Sequence, residues 1–595
     1  MNGVSGTALQ PADLVVIGGI LLLVVVVGFM FGRRASGSLD DFFLGGRRLP
    51  WWLLGISGTA SNFDMAGTMV MVSFVYAIGM QGFWVAMRGG MCLPLGILLV
   101  YMGRWLRRSR VMTTAEWMEL RFGSGTEGQA ARLLSAVSNL VVAVAFLSYF
   151  VKGTGKFLGV FLPLDADTCS ILMVGIGLAY TAASGLFGVV FTDLIQELLM
   201  LAVCVLVAVP AFCLPEHSDL LASAGESWVS LVPRARAVPM PWLKDSHLYE
   251  MFGLCIVFWI ARGLLEGAGG LTGGYMPQRY YAARNEREAV LLSAEWVVLL
   301  LFRWALVVGV ALLGMAMAHG DLGVAGILGP DPEKTLPYVI GHWFPSGVRG
   351  LAVAGLMAAS LSTFDSTLNA AASYWVRDIY QRYIRPSCPE RDAVFQGRLA
   401  TVVLAALGLV MGLAAHNIDD IWSWITGPLS AGLFAPVVLR WYWWRFNGTG
   451  FAASTAAGLA VALLFRFAGL ELPPYIGFPA AWIVSFAVGI VVSLRTSPTP
   501  DDVLVRFWKQ IRPFGWWSAV RNQVPPDSRD SESGRAALGW TAVAVAWLVS
   551  GVVAVVSLML HRWLQLAAAC LVFAACAAGL FGVWLPGLKQ GSEDC

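Results

Sequence analysis

Within residues 346–376 the run Ala359-Ser-Leu-Ser-Thr-Phe-Asp-Ser-Thr-Leu-Asn369 places Ala359, Ser362, Thr363, Ser366 and Asn369 on one helical face, by i, i+3, i+4 spacing. A row of hydroxyls can ligate a hard cation such as sodium, which takes oxygen donors. It can equally act as glue between membrane helices, so the stripe alone leaves both readings open. Two other stretches offer the missing oxygens: Gly55-Ile-Ser-Gly-Thr-Ala-Ser-Asn-Phe-Asp-Met-Ala-Gly67, and Ala261-Arg-Gly-Leu-Leu-Glu-Gly-Ala-Gly-Gly-Leu-Thr-Gly-Gly274 with Pro277 beyond it. Each interrupts an apolar run with polar or small residues. In lipid such a break is tolerated only where the freed backbone lines a cavity or holds an ion. Two hydroxyls a turn below a helical carbonyl, facing the carbonyls of a broken helix, supply about five oxygens without formal charge.

The elements that must position these residues are membrane helices. The chain of 595 residues is 57% hydrophobic and 13% charged, about half the charge of a soluble domain, which excludes an ordinary soluble enzyme. A net charge of +3 and the lack of a basic tract interleaved with aromatics leave no footprint for a nucleic-acid partner. The nine cysteines fall mostly inside apolar runs, without CxxC or Cys/His spacing, and read as small buried hydrophobes. The 25 tryptophans are expected at the two headgroup levels.

Apolar windows predict about fifteen spans: 13–32, 51–80, 83–103, 131–160, 170–189, 191–214, 249–274, 289–318, 346–376, 398–415, 420–441, 450–467, 475–494, 537–560 and 564–586. Residues 14–31 lack a basic run before them and are too long for a signal core, so they read as a retained helix. With the N-terminus outside, 28 of the 40 Lys and Arg fall in inner loops and nine in outer ones. The positive-inside rule therefore predicts an outer N-terminus and a cytoplasmic C-terminus in a plasma (inner) membrane. In the inner loop 495–536, Leu504, Phe507, Trp508, Ile511, Phe514, Trp516 and Trp517 lie among basic residues, which suits an amphipathic helix lying on the membrane face.

Spans 51–214 form a set of five and spans 249–441 a second set, each opening with an interrupted segment. Because five is odd, the sets have opposite topology, and paired interruptions in two inverted halves are the best sequence pointer to a transport site at the bilayer midplane. Residues 1–50 precede the sets as one extra helix with its loop, and 442–595 follow as about four extra helices.

With these motifs placed, the chain resembles the sodium:solute symporter family, which includes sodium/glucose, sodium/proline and sodium/sialic acid symporters. The matching stretches are Asp41-Phe-Phe-Leu-Gly-Gly-Arg-Arg-Leu-Pro-Trp-Trp52, Ala60-Ser-Asn-Phe63, Phe191-Thr-Asp-Leu-Ile-Gln196, Pro277-Gln-Arg-Tyr-Tyr-Ala-Ala-Arg284, Ala359-x-x-Ser-Thr363 running on to Leu368-Asn369, and Asp378-Ile-Tyr380. The resemblance implies an all-α polytopic protein of the LeuT-type fold, with a 5+5 inverted repeat. It implies a sodium site from the carbonyls of Ala60, Phe63 and Ala359 and the hydroxyls of Ser362 and Thr363. A candidate second cation falls to Asp193 and Ser366, joined by Asp365, which stands where other members carry a small or hydroxylic residue; a buried carboxylate at 365 suits a second cation, a proton-titrating role or equally a pair with an intramembrane arginine. Asn62 matches a sugar-contacting position and Tyr275 a tyrosine that closes the pocket on the inner side. Gly67 and Ala86 replace the sugar-binding Gln and Glu, which weakens a hexose reading.

Arg88 lies inside a span and asks for an anion, either a solute carboxylate or a partner such as Asp64. Arg262 and Glu266, at i, i+4, satisfy each other. The expected activity is sodium-coupled uptake of a small organic solute by alternating access. The rivals are a proton-coupled member or a sensor on the same fold; no intramembrane His, Cys or Asp constellation supports an enzyme.

Overall fold

Several helices in this chain start where a side chain caps them: Asp64, Asp165, Asn285, Asn447 and Ser533 each accept from a first-turn N–H. The computed structural model describes residues 8–588 apart from 33–42, 90–91, 237–239, 241, 244–248, 272–274, 416–417, 471 and 526–532. Asp41 and Phe42 of the first matching stretch and the 272–274 end of the second glycine-rich run lie outside the described residues. The helices that position the site are α1 (Pro11–Gly32), α2 (Trp51–Ala60), α3 (Met65–Ile78), α4 (Thr126–Leu158), α5 (Ala166–Phe212), α6 (Phe252–Ala268), α7 (Met276–Ala282), α8 (Glu286–Gly320), α9 (Val348–Ser373), α10 (Glu390–Ala414), α11 (Ser430–Tyr442), α12 (Gly448–Phe467), α13 (Pro474–Arg495), α14 (Asp501–Ile511), α15 (Gly534–Met559) and α16 (Trp563–Ala577).

Eleven helices among the described residues are long and apolar enough to cross a membrane, against fifteen expected segments. The difference falls on the interrupted or short ones. Segment 51–80 is divided into α2 and α3, and segment 83–103 into short pieces from Gln81–Ala86 to Gly103–Ser109. Segment 249–274 keeps 17 helical residues in α6, and segment 170–189 retains the short apolar stretch Ala166–Ala179.

Helix α5 has helical backbone over 47 residues, about 70 Å if straight. It is not straight. A β-carbon on Gly177 would stand 2.7 Å from the ring of Phe364, while Asp193 accepts a hydrogen bond from Ser362 of the same helix α9; straight helix would hold 177 and 193 about 24 Å apart. The chain bends between them. Its first half packs on α4, where Ser170 donates to the Val151 carbonyl, and its second half returns along α9, with Val203 against Gly355. Asp193 is thereby placed beside the break.

Two glycines let a pair of helices meet closely. A β-carbon on Gly432 of α11 would stand 2.5 Å from the carbonyl of Gly458 in α12, and one on Gly458 would stand 2.1 Å from the carbonyl of Gly432. These helices pack backbone to backbone.

The amphipathic segment near 501–517 forms α14, but its apolar face is spent on the protein rather than on lipid: Val503, Leu504, Phe507, Trp508 and Ile511 are buried. The reason is Arg121. Its fully buried guanidinium donates to the carbonyls of Arg440, Trp443, Trp444 and Phe446, and its cationic face is covered by Trp517 at 4.8 Å and Phe507 at 5.3 Å. Trp105, Trp117, Trp296, Trp441, Trp508 and Trp517 are fully buried, so a good part of the tryptophan content packs the interior instead of the headgroup levels.

Candidate ion and solute site

Polar side chains at the break compete with the helix for its own backbone. Thr59 Oγ1 donates to Gly55 O at 3.0 Å, Ser61 Oγ to Ser57 O at 2.8 Å and Asn62 Nδ2 to Gly58 O at 2.8 Å, contacts that bend or end a helix. Asp64 then restarts it, accepting from the Gly67 N–H as the N-cap of α3. Between Ala60 and Met65 the chain turns, and the carbonyls of Ser61 and Asn62 accept from side chains of other helices.

The serine-rich stripe of α9 abuts this turn. Thr363 Oγ1 donates to Ser61 O at 2.9 Å, Ser360 Oγ accepts from Met65 N at 3.0 Å, and Ser61 Oγ lies 3.3 Å from Ser362 Oγ. Ala60 closes α2, with its carbonyl accepting from Phe63 N at 3.2 Å. The Ala359 carbonyl lies 3.4 Å from Thr363 Oγ1. Ala60, Phe63, Ala359 and Ser362 are fully buried and Thr363 nearly so. The expected ion ligands thus occupy one junction, where α9 crosses the break.

One turn further along, the expected second-cation residues meet a cation that belongs to the chain. Asp193 accepts from Ser57 and from Ser362, and Arg279 Nη2 lies 3.5 Å from its carboxylate. The same nitrogen donates to Ser366 Oγ at 2.6 Å and Ser57 Oγ at 2.8 Å. Arg279 stands in α7, directly after the second break, and is fully buried. Sequence reasoning placed it among inner-loop charges; the signal that could have located it was its position two residues after Pro277, within a turn of Tyr275.

Tyr275 ties the two breaks together, its hydroxyl donating to Ser61 O at 2.8 Å and Asn62 Oδ1 at 3.1 Å. Arg88 finds its anion in Asp419 at 2.5 Å, with Tyr249 Oη at 2.8 Å, and not in Asp64. Asp64 instead accepts from Tyr149 at 3.0 Å and faces Arg303 at 3.9 Å, while Arg303 donates to Asn62 O at 2.6 Å. Gly67 makes room for this group: a β-carbon there would meet Tyr149, Arg303 and Asp64 within 3.0 Å. Arg262 and Glu266 pair at 3.1 Å, as their spacing predicts.

A model of the sodium:solute symporter family matches residues 42–458. The chain is 26% identical to the high-affinity proline transporter PutP of Bacillus subtilis over 80% of its length and 98% of the relative's. It is 27% identical to the sodium/mannose cotransporter SLC5A10 of Bos taurus over 87% of its length and 91% of the relative's. Among solved structures, a substrate-bound outward-open Na+-coupled sialic acid symporter superposes with a TM-score of 0.65 at 20% identity, covering 82% of this chain and 99% of that one. The shared architecture is the LeuT-type fold.

Proposed function

The chain belongs to the sodium:solute symporter family, and from that premise we propose how its residues carry out sodium-coupled uptake of a small organic solute. Sodium binds where α9 crosses the first break, held by the carbonyls of Ala60, Phe63 and Ala359 and the hydroxyls of Ser362 and Thr363. The observation that carries this reading is the 2.9 Å contact of Thr363 Oγ1 with Ser61 O, which puts the stripe's hydroxyls against carbonyls freed by the break. The ion's oxygen cage ties α2 and α3 to α9 and orders the pocket beside Asn62, which Tyr275 closes from the side of the second break. Arg88, already balanced by Asp419, braces the helix that carries it rather than meeting the solute. Residues 51–214 and 249–441 are the inverted halves, the N-terminus lies outside and the C-terminus in the cytoplasm.

Coupling follows from differential affinity: solute binds the sodium-loaded state more tightly, and linkage makes it tighten sodium by the same factor. A tenfold sodium gradient is worth about 1.4 kcal/mol and 100 mV about 2.3 kcal/mol per charge. One sodium could then concentrate a neutral solute on the order of 500-fold. The test is the double substitution Ser362→Ala, Thr363→Ala. A hydrogen bond or ligand contact to a charged group contributes about 1.5–3 kcal/mol, so the sodium concentration for half-maximal binding should rise at least about 10-fold while the protein stays folded. An unaltered sodium requirement would remove the site.

A further inference from the structure

We propose that the solute is a small zwitterion, an α-amino or imino acid, whose carboxylate is held by Arg303 and whose ammonium is held by Asp64. The inference rests on the sodium reading above and adds a solute class to it. Three polar tips, from α4, α8 and the cap of α3, converge on Gly67, which has no side chain. A β-carbon there would stand 2.7 Å from Tyr149 Oη, 2.9 Å from Arg303 Nη2 and 3.0 Å from Asp64 Oδ2. The two charges face each other without bonding. Arg303 Nη2 lies 3.9 Å from Asp64 Oδ2, beyond hydrogen-bond reach, whereas Arg88 and Asp419 meet at 2.5 Å, Arg349 and Asp13 at 2.6 Å, and Arg132 and Asp378 at 2.8 Å. Each charge also keeps bonding capacity. Asp64 spends Oδ1 on the Gly67 N–H and the Tyr149 hydroxyl, and its Oδ2 takes no hydrogen bond among the described residues. Arg303 spends Nη1 on the Asn62 carbonyl at 2.6 Å; its Nε has no hydrogen-bond partner, and Nη2 reaches only Thr68 Oγ1, at 3.5 Å. Nε and Nη2 are the edge of a guanidinium that binds a carboxylate as a fork.

The open pair selects its ligand by charge. Charges taken out of water need opposite charges and hydrogen bonds in return, and a neutral sugar brings no charge. A simple anion would match Arg303 but lie against the Asp64 carboxylate, and a simple cation would reverse the conflict. A ligand carrying both charges one carbon apart bridges the 3.9 Å gap with a charge-assisted hydrogen bond at each end. Any side chain at residue 67 would fill that gap. The pair also adjoins the proposed sodium site. Arg303 Nη1 bonds the carbonyl of Asn62, the residue before Phe63, and the guanidinium lies over the Phe63 ring at 5.8 Å. Ion and solute therefore order the same turn of the first break, which is the differential contact that coupling needs.

Calorimetric titration of the purified full-length protein, first with sodium alone and then with the common L-amino acids in saturating sodium, tests the solute class. At least one amino acid should bind, at least about 10-fold more tightly than its own α-amide or the amine that lacks its carboxylate, and D-glucose should not bind. No amino-acid binding by protein that binds sodium overturns the assignment, and so does equal binding of an amino acid and its amide, or binding of D-glucose. Arg303→Gln should erase the preference for acid over amide while sodium alone still binds; a preference kept in the folded variant removes Arg303 from the site. The wild-type comparison decides the solute class even where the variant does not fold. Wild-type protein that binds no sodium would instead defeat the underlying sodium reading.

Discussion

Several buried ion pairs in this protein tie together segments distant in sequence. Arg88 and Asp419 are the plainest case, joined at 2.5 Å with side chains 3% and 14% exposed. Removing one partner of a buried pair leaves the other uncompensated, at about 3–5 kcal/mol. Arg88→Gln and Asp419→Asn should therefore each lower the melting temperature in detergent strongly, whereas the double variant should recover most of the loss. Additive losses would mean that the pair is not a unit. The need for a partner was legible at Arg88 because it sits mid-span. Which anion answers it was not, since Asp64 and Asp419 are both acidic residues in or near spans, and only the packing of the 418–424 segment against residue 88 separates them.

At the scale of elements, the close contact of α11 with α12 and the docking of α14 both leave little room for substitution. Gly458→Val has to push α12 away from α11, because the space beside residue 458 is already occupied by the Gly432 backbone. Overpacking of this kind costs about 1–3 kcal/mol, and a thermal-shift measurement should show the loss with the sodium affinity of the remaining folded protein unaltered. Trp508→Ala in α14 should cost about 3–5 kcal/mol, as for any large buried aromatic. If α14 lay on lipid instead, the substitution would barely move the melting temperature in detergent. Its amphipathic pattern was plain from Leu504, Phe507, Trp508 and Ile511, but a pattern states only that a face is apolar. Whether lipid or protein covers that face was decided by Arg121 and Trp517, which are far apart in sequence.

For the whole molecule, the orientation and the coupling are what experiment can reach. Cys213 is exposed at the end of α5 and Cys388 is partly exposed in the turn before α10, on opposite sides of the membrane in the proposed topology. In variants that keep one or the other as the sole cysteine, a membrane-impermeant maleimide should label Cys213 in intact cells, and Cys388 only after permeabilisation. The reverse pattern would invert the topology. Sodium should tighten solute binding by the same factor as solute tightens sodium, which paired titrations of the purified protein measure; unequal factors would mean that the two ligands do not share one coupled equilibrium.

The amino-acid sequence by itself determined the solvent, the helical class, the two breaks and the serine-rich face. These depend on composition and on periodicities of a few residues, and a chain in lipid has almost no other way to satisfy its backbone. Tertiary structure alone decided which groups meet at the breaks. It bent α5 so that Asp193 reaches Ser362, brought Tyr275 onto the carbonyl of Ser61, and buried Arg279 in the oxygen cluster assigned to a second ion. Those contacts join residues more than eighty positions apart, and no local preference encodes them. They exist because burying a charge or a freed carbonyl without a partner is costly, and the partners available were on other helices of the same bundle.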